Sequence, residues 1–267
     1  MENVPNFITK YNGEVFNAAL DLINSMKGNY EVVTPVQILN AGHYGVPQLR
    51  KRMFLVGHKP GFEFKYPVHT HYIEEKSKQK DIFNNASKLP KAVNVFDAIS
   101  DLPKITDNWH IDEVEYSKNK NLSDFQKLMR KKTTISVRNN RCRMSNDRAK
   151  KVFKHMKQGS KYMDLPKEVR SILPFREDIF PDRLKRLVYN NPSWTIIAHI
   201  GMDGYMYIHP TENRTLSVRE AARIQSFPDD FIFFGNMQNS YVQVGNAVPP
   251  ILSENLAKSI KESISNK

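Results

Sequence analysis

The chain has 267 residues, 40% of them hydrophobic, which is enough to bury a core in one large domain or two small ones and excludes a disordered protein. No stretch reaches the roughly 18 uninterrupted apolar residues of a membrane span, and the first residues lack the basic and apolar regions of a signal peptide, so we expect a cytoplasmic protein without membrane contact. The single cysteine, Cys142, excludes an intrachain disulfide and a multi-cysteine zinc site, while the net charge of +12 favours a polyanionic partner.

Residues 1–60 predict one helix and two strands. Residues 13–27 place apolar side chains on one helical stripe, with Gly28 as the C-cap, and the stripe consists of Phe16, Leu20, Ile23 and Met26. Residues 31–39 are rich in Val and Ile, and residues 52–56 contain an apolar run without alternation, which is typical of a strand covered on both faces of an α/β sheet. We therefore predict the later part of a doubly wound α/β domain.

Residues 61–210 predict a separate, mixed and loop-rich module. Its basic stretch, residues 118–151, holds twelve Lys or Arg residues against two Asp, a local balance of +10. This concentration favours nucleic acid over a solvated lysine-rich face, which would scatter the charge. Farther on, Asp203 and Gly204 lie between two β-rich runs in residues 194–209 and predict a two-residue hairpin turn.

Residues 211–267 predict two helices. Ser217 and Glu220 fit a capping box that opens a short helix running through Gln225. A Pro-Pro pair at 249–250 introduces a final helix, and its predicted shared apolar face consists of Leu252, Leu256, Ile260 and Ile264. We predict that this segment returns to the α/β part formed by the first 60 residues.

Four short strings carry chemical information through their order. They are ENV at 2–4, QLRKR at 48–52, RTLSVREAARIQ at 214–225 and GNAVP at 245–249. The series resembles the C-terminal half of the DNA cytosine-5 methyltransferase family, which runs E-N-V, Q-x-R-x-R, a variable target-recognition region, R-x-x-[ST]-x-x-E-x-x-x-x-Q and G-N-x-V. The resemblance covers residues 1–60 and 211–265, and it implies the end of a Rossmann-like methyltransferase domain with a target-recognition domain inserted at 61–210.

The resemblance implies catalytic roles for Glu2, Arg50 and Arg52. Carbon 5 of cytosine is a poor nucleophile, so enzymes similar to this chain first add a thiolate at carbon 6, and negative charge then builds on the ring. In such enzymes the Glu of E-N-V holds a proton against ring N3 and the exocyclic amine, a role carried to Glu2. The second Arg of Q-x-R-x-R contacts ring O2, a role carried to Arg52, while Arg50 helps to hold the pocket and the backbone phosphate. The alternatives are a frayed terminal residue for Glu2 and solubilising charges beside a strand for the two arginines.

Other motif residues are expected to bind or to support. By resemblance, Asn246 and Val248 line the methionine end of an S-adenosylmethionine site, although Gly-Asn also forms ordinary turns. A further set is expected to act as scaffold rather than in catalysis: Gln48, Arg214, Ser217, Glu220 and Gln225. The basic stretch is expected to neutralise the phosphates of duplex DNA around a target cytosine that has left the stack, with the candidates Arg138, Arg141, Arg143 and Arg148.

Two family motifs are missing from the chain. The F-x-G-x-G string and the Pro-Cys nucleophile loop, which both precede E-N-V in the family, do not occur here. Cys142 lies between two arginines, which can lower a thiol pKa, but it has neither the Pro nor the position of the family nucleophile. We therefore expect a split or truncated enzyme, inactive without an N-terminal methyltransferase chain that carries the Pro-Cys loop and most of the S-adenosylmethionine site.

Two further expectations concern the setting. Family members of this bacterial kind commonly accompany restriction endonucleases, so the resemblance implies restriction-modification and a cognate endonuclease as a further partner. One alternative is a stand-alone DNA-binding protein derived from a decayed methyltransferase, for which Glu2 would be dispensable. Another is an α/β protein that does not bind nucleic acid.

Overall fold

The computed structural model describes residues 1–27, 29–74, 88–105, 110–118, 121–132, 135–176 and 182–265. The strands are β1 (Glu2–Asn3), β2 (Glu31–Val32), β3 (Gln37–Asn40), β4 (Gln48–Leu49), β5 (Lys51–Phe54), β6 (Gly57–His58), β7 (Val114–Glu115), β8 (Ser136–Val137) and β9 (Ser193–Trp194). The helices are α1 (Glu14–Ser25), α2 (Val95–Ile99), α3 (Asp124–Met129), α4 (Asp147–His155), α5 (Lys167–Arg170), α6 (Val218–Ile224), α7 (Met237–Asn246) and α8 (Pro250–Ser265). In these ranges no helix is long and apolar enough to cross a membrane.

An antiparallel sheet in the order β1-β5-β3 organises the N-terminal part. Met53 and Phe54 on the central strand point to opposite faces and are both buried, so the predicted two-sided burial of this strand is confirmed. The single strand predicted at 31–39 is instead divided into β2 and β3. The division falls around Pro35, which has no N–H to donate to a strand ladder.

Helix α1 is shorter than predicted, and its apolar stripe remains partly exposed. The helix ends with Met26 as its C-cap, and the predicted cap, Gly28, lies outside the described residues. No residue of α1 is buried, and Met26 is 51% exposed. The amphipathic pattern thus forms the helix, but the described part of the chain covers its apolar side only in part.

Three apolar clusters fill the interior of the described part of the chain. The largest packs α2 and α3 against α6 and α7. A second lies beneath α4, where Val152 and Phe153 contact the cluster that includes Leu184 and Ile208. A third joins the sheet to the start of α8 through Leu252. The C-terminal helices therefore pack on both the sheet and the middle region.

The hairpin predicted at Asp203 and Gly204 is wrong. The preceding residues form β9, which pairs in parallel with β4, and then a 3-10 turn at Ala198–Gly201. Neither Asp203 nor Gly204 adopts the positive φ that a type I′ turn requires at both central positions. The Asp203 carboxylate instead accepts hydrogen bonds from Tyr205 N at 3.0 Å and Arg183 Nε at 2.9 Å, which fix a different turn.

The final helix begins at the Pro-Pro pair, as predicted, but its apolar face is wrong in the second half. Leu252 is fully buried, whereas Ile260 and Ile264 are 47% and 59% exposed. The first half of α8 packs on the 3-10 turn at Ala41–Tyr44. In the second half Ser259 is buried instead, and the two isoleucines lie on an exposed side of the helix.

Candidate functional site

The pairing of β1 with β5 brings Glu2 and Arg52 together. Antiparallel register sets Glu2 opposite Phe54 and Asn3 opposite Met53. The Glu2 carboxylate accepts from Arg52 Nε at 2.9 Å, and both side chains are partly shielded from solvent. Burial lowers the pKa of Arg52, while the Glu2 charge acts in the opposite direction. The terminal Glu2 is therefore held in place rather than frayed.

This ion pair faces a cavity of about 440 Å³. Four segments line it: residues 2–4, the arginines at 50 and 52, residues 197–199, and residues 245–246. They are far apart in the sequence, and the cavity falls within the size range of small-molecule sites. ENV, QLRKR and GNAVP thus each contribute residues to one cavity.

Arg50 and Arg52 line the same cavity but make different contacts. Arg50 is 2% exposed and donates from Nη1 to Ile196 O at 2.6 Å and from Nη2 to Gly245 O at 3.0 Å. Burial, followed by the Arg52 charge, lowers the pKa of Arg50 to about 10, so Arg50 stays cationic at neutral pH. Its terminal nitrogens join two backbone segments of the cavity wall.

A buried amide pair, Gln48 with Gln225, fixes the same wall from behind. Gln48 Oε1 accepts from Ile196 N at 2.9 Å, and its Nε2 donates to Gln225 Oε1 at 2.5 Å. Gln225 Nε2 in turn donates to Val244 O at 3.1 Å and Ala247 O at 2.8 Å. Because both amides are fully buried and satisfied, they hold β4, β9 and the end of α7 in one register.

The GNAVP string includes the end of a helix, α7, which is not predicted from the sequence. Asn246 lies at its C-terminus and borders the cavity. Val248 is half-buried against the cluster that contains Leu252 and does not line the cavity. Of the two predicted cofactor residues, the geometry therefore leaves the Asn246 amide available to a ligand.

The RTLSVREAARIQ string forms the predicted capping box at the start of α6. Ser217 caps α6 by accepting from Glu220 N at 3.0 Å, and Glu220 accepts in return from Ser217 N at 2.7 Å. Arg214 forms a buried two-point contact with Glu220, with both hydrogen bonds at 2.7 Å. Burial raises the pKa of Glu220, but the charge and hydrogen bonds of Arg214 outweigh this effect and lower it to about 2.

His199 borders the cavity and was missed by the sequence analysis. It comes from the 3-10 turn at Ala198–Gly201 and is exposed opposite Glu2 and Arg52. In the sequence, its place in the segment predicted to be a hairpin is the one feature that draws attention to it. Only the close packing of that turn on α7 brings the imidazole to the site.

Cys142 does not take part in the cavity. The thiol is 2% exposed, and burial raises its pKa to about 11. Arg141 and Arg143, which flank the thiol in the sequence, direct their donors to other groups. Arg141 pairs with Asp112 at 3.2 Å, and Arg143 donates to the carbonyls of residues 201 and 202.

The four arginines predicted to bind DNA have different surroundings. Arg141 and Arg143 are engaged as just described, and Arg138 pairs with Glu113 at 2.9 Å. Arg148 is exposed on α4. The described contacts thus leave Arg148 the most accessible of the four to a phosphate.

Known proteins that are similar to this chain share one family description. Residues 1–262 match the family model described as C-5 cytosine-specific DNA methylase. The chain is 30% identical over 317 residues to a protein named as a type II methyltransferase in Oceanobacillus iheyensis, covering 99% of the chain and 68% of that relative. It is 31% identical over 281 residues to a type II methyltransferase of Bacillus paralicheniformis, covering 98% of the chain and 59% of that relative.

A solved structure supports the fold. It is described as a DNA modification methyltransferase encoded within a prophage of E. coli, and it is similar to the chain with a TM-score of 0.68 at 22% identity. The similarity covers 99% of the chain and 68% of the solved protein. The predicted α/β methyltransferase fold is therefore confirmed.

Proposed function

The chain belongs to the C-5 cytosine-specific DNA methylase family, and on that premise we propose that it supplies the cytosine-holding part of an enzyme that methylates carbon 5 of cytosine in duplex DNA. The observation that carries the proposal is the Glu2–Arg52 pair, joined at 2.9 Å and facing a cavity of about 440 Å³. A flipped pyrimidine presents O2, N3 and the exocyclic amine along one edge, which is the edge that such a pair can grip.

The proposed chemistry uses this pair against charge on the ring. A thiolate sulfur bonds to carbon 6, and the displaced electron pair makes carbon 5 nucleophilic while negative charge spreads to O2 and N3. Arg52 donates to O2. Glu2 carries a proton toward N3 and accepts from the exocyclic amine. Arg50 is proposed to position the pocket, since its Nη groups are already bonded to backbone carbonyls.

S-adenosylmethionine is the proposed methyl donor, and when bound it would supply the methyl group that carbon 5 receives. Removal of the carbon 5 proton by a base and breaking of the C6–S bond would then restore the ring and release the thiolate. The Asn246 amide and the adjacent backbone border the cavity, so they fit a polar end of such a molecule. Val248 packs on the core and is proposed to support this wall from behind. We assign the rest of the cofactor site to polypeptide outside these 267 residues.

The nucleophilic thiol is also proposed to come from outside these residues, from an N-terminal methyltransferase polypeptide with a Pro-Cys loop. Cys142 is the chain's one cysteine, and it is buried away from the cavity. Exposed apolar side chains at the N-terminal end, including Val4, Val15 and Leu22, support contact with such a polypeptide. The type II names of the relatives support restriction-modification in the cytoplasm, beside a cognate restriction endonuclease.

The test is reconstitution of methyl transfer. This chain, mixed with a family polypeptide that carries the Pro-Cys loop, is expected to methylate duplex DNA when neither part does so by itself. Arg52→Ala should then lower the methylation rate about 10²- to 10³-fold, as expected for loss of one oxyanion-type donor, and leave DNA affinity nearly unchanged.

The matched control is Lys51→Ala, which removes an exposed cation from the neighbouring position and should leave the rate nearly unchanged. An Arg52→Ala enzyme as fast as the wild type would remove Arg52 from the mechanism. No transfer by the mixture would overturn the proposed function.

A further inference from the structure

The basic stretch at 118–151 divides into two parts that differ in charge compensation. Before residue 142, several cations are paired with acidic side chains of the middle region. These pairs are Lys127 with Asp124, Arg138 with Glu113 and Arg141 with Asp112, at 2.9, 2.9 and 3.2 Å. Charge that the sequence places in one block is therefore partly neutralised within the fold.

Helix α4 (Asp147–His155) carries the end of this stretch, continues the basic sequence past residue 151 to Lys154, and has these cations on its exposed side. Its N-cap Asn146 accepts from Ala149 N at 2.8 Å, and Val152 and Phe153 are fully buried in the cluster beneath it. The opposite face carries exposed side chains with helical spacing: Arg148, Lys151, Lys154 and His155. Because the apolar side is anchored, the basic side is held in a fixed orientation.

These cations are not compensated inside the described part of the chain. No ion pair there includes Arg148, Lys151 or Lys154, and Asp147 is the only acidic residue in the sequence of the helix. Paired charges occur on other helix surfaces of the described chain. On α8, for example, Lys258 pairs with Glu254 at 2.8 Å.

The length of this row fits a DNA strand. From residue 148 to residue 155 the helix rises about 10 Å at ~1.5 Å per residue. One strand of duplex DNA carries a phosphate about every 3.4 Å along the axis, so about three phosphates fall within that length. Three uncompensated cations on a rigid helix therefore match the density of charge along the backbone.

We propose that the outer face of α4 binds the phosphate backbone of duplex DNA through Arg148, Lys151 and Lys154. The inference rests on the proposed function and deepens it, because it identifies which part of the basic stretch engages the substrate. Phosphate contacts position a protein on DNA without reading sequence. The α4 face would accordingly set the affinity and its salt dependence, while other residues select the target.

The experiment uses the full chain with Arg148, Lys151 and Lys154 all replaced by Gln. Binding to a labelled duplex is followed by fluorescence anisotropy between ~50 and ~200 mM salt. Each lost phosphate contact lowers the slope of log Kd against log salt by about 0.9, so the triple variant should lose about 2.7 from the slope. Between ~50 and ~200 mM salt, the factor by which its affinity falls should be about 40 times smaller than the factor for the wild type.

The matched control replaces Lys65, Lys127 and Lys258 by Gln. Each is exposed and paired with an acidic residue, and the change in net charge is the same. Its slope should change by less than about 1. Both variants should keep the wild-type thermal midpoint, because every replaced side chain is exposed.

The possible results distinguish a failure of the α4 proposal from a failure of the proposed function. Wild-type binding with equal slopes for the two triple variants would overturn the α4 surface and leave the proposed function intact, since methyl transfer in the reconstituted enzyme is measured separately. A wild-type chain that does not bind duplex DNA at ~50 mM salt would overturn the α4 surface directly. A wild-type chain that binds duplex DNA with the expected difference in slope between the two variants, but transfers no methyl group in the reconstituted enzyme, would instead count against the catalytic proposal.

Discussion

Arg50 and Arg52 are two positions apart in the chain, yet their surroundings give them different tasks. Arg52 shares a hydrogen-bonded ion pair with Glu2 beside the cavity, so a ligand oxygen can compete for its donors. Arg50 uses its Nη groups on Ile196 O and Gly245 O and is almost fully buried. Loss of Arg50 should therefore weaken the fold of the site, whereas loss of Arg52 should act on the rate.

Glu220 gives a prediction for the pH dependence of stability. Its pKa in the folded chain, about 2, lies below the ordinary value of 4.5, so its stabilisation is fully present above about pH 4.5 and is lost as the pH falls toward 2. At about pH 7, Glu220→Gln should lower the free energy of unfolding by on the order of 3 kcal/mol. Urea unfolding should show that this difference shrinks as the pH is lowered.

The control is Glu254→Gln, at an exposed position on α8 that pairs with Lys258. Exposed pairs contribute about 0–1 kcal/mol, so its effect should be small at every pH. A Glu220→Gln difference that stays constant from neutral pH to about pH 2.5 would contradict the assigned role of the buried pair.

At the level of elements, the site depends on how closely α7 approaches the turn at Ala198–Gly201. A Cβ atom built on Gly245 would lie 2.3 Å from Ala198 N and 2.4 Å from Ile197 C. These neighbours are backbone atoms and cannot turn aside as a flexible side chain can. The glycine is therefore required for space, since its φ is not in the left-handed region.

Gly245→Ala should destabilise the chain although Ala is the better helix former. The propensity gain is about 1 kcal/mol, while overpacking against backbone costs about 1–3 kcal/mol or more and also displaces the carbonyl that Arg50 contacts. We expect a lower thermal midpoint and slower methyl transfer in the reconstituted enzyme.

Asn239→Ala is the control for that substitution, because Asn239 is exposed on the same helix. Its effect on stability should stay within about 0.5 kcal/mol. If Gly245→Ala were as stable and active as this control, the close approach would not be important for the site.

At the scale of the whole molecule, exposed apolar side chains collect at the N-terminal end. Leu22 and Met26 on α1 are 63% and 51% exposed, and Val4 beside the cavity is 47% exposed. Such a surface is typical of a contact with another polypeptide segment. Val4 lines the cavity together with Glu2 and Arg52, where the proposed source of the thiol has to bind.

Leu22→Ser should therefore leave the folded chain unchanged but weaken reconstitution. A fully buried Leu contributes about 1.5–3 kcal/mol, so the partner concentration at half-maximal methylation should rise about tenfold or more. The thermal midpoint should not change, because the side chain is already mostly in solvent. Leu128→Ser, at a leucine on α3 that is 50% exposed, is the control and should leave the titration unchanged. Identical titrations for both variants would exclude α1 from the contact.

The sequence by itself determined the features that depend on local order. The capping box at Ser217 and Glu220, the start of α8 and the buried strand at 52–56 follow from spacing along the chain, and the structure contains all three. The order of four strings was enough to indicate the family, because motif order does not depend on knowing the contacts.

Only the tertiary structure decided what depends on distant segments. The failed hairpin at Asp203 and the exposed end of α8 show that turn chemistry and apolar spacing do not reveal what packs nearby. His199 reaches the cavity because its turn packs against α7, and the thiol of Cys142 has a raised pKa because the fold removes it from water. Burial and ion pairing are properties of the folded chain, so a linear run of arginines could not show which of them are neutralised and which, like Arg148, face solvent.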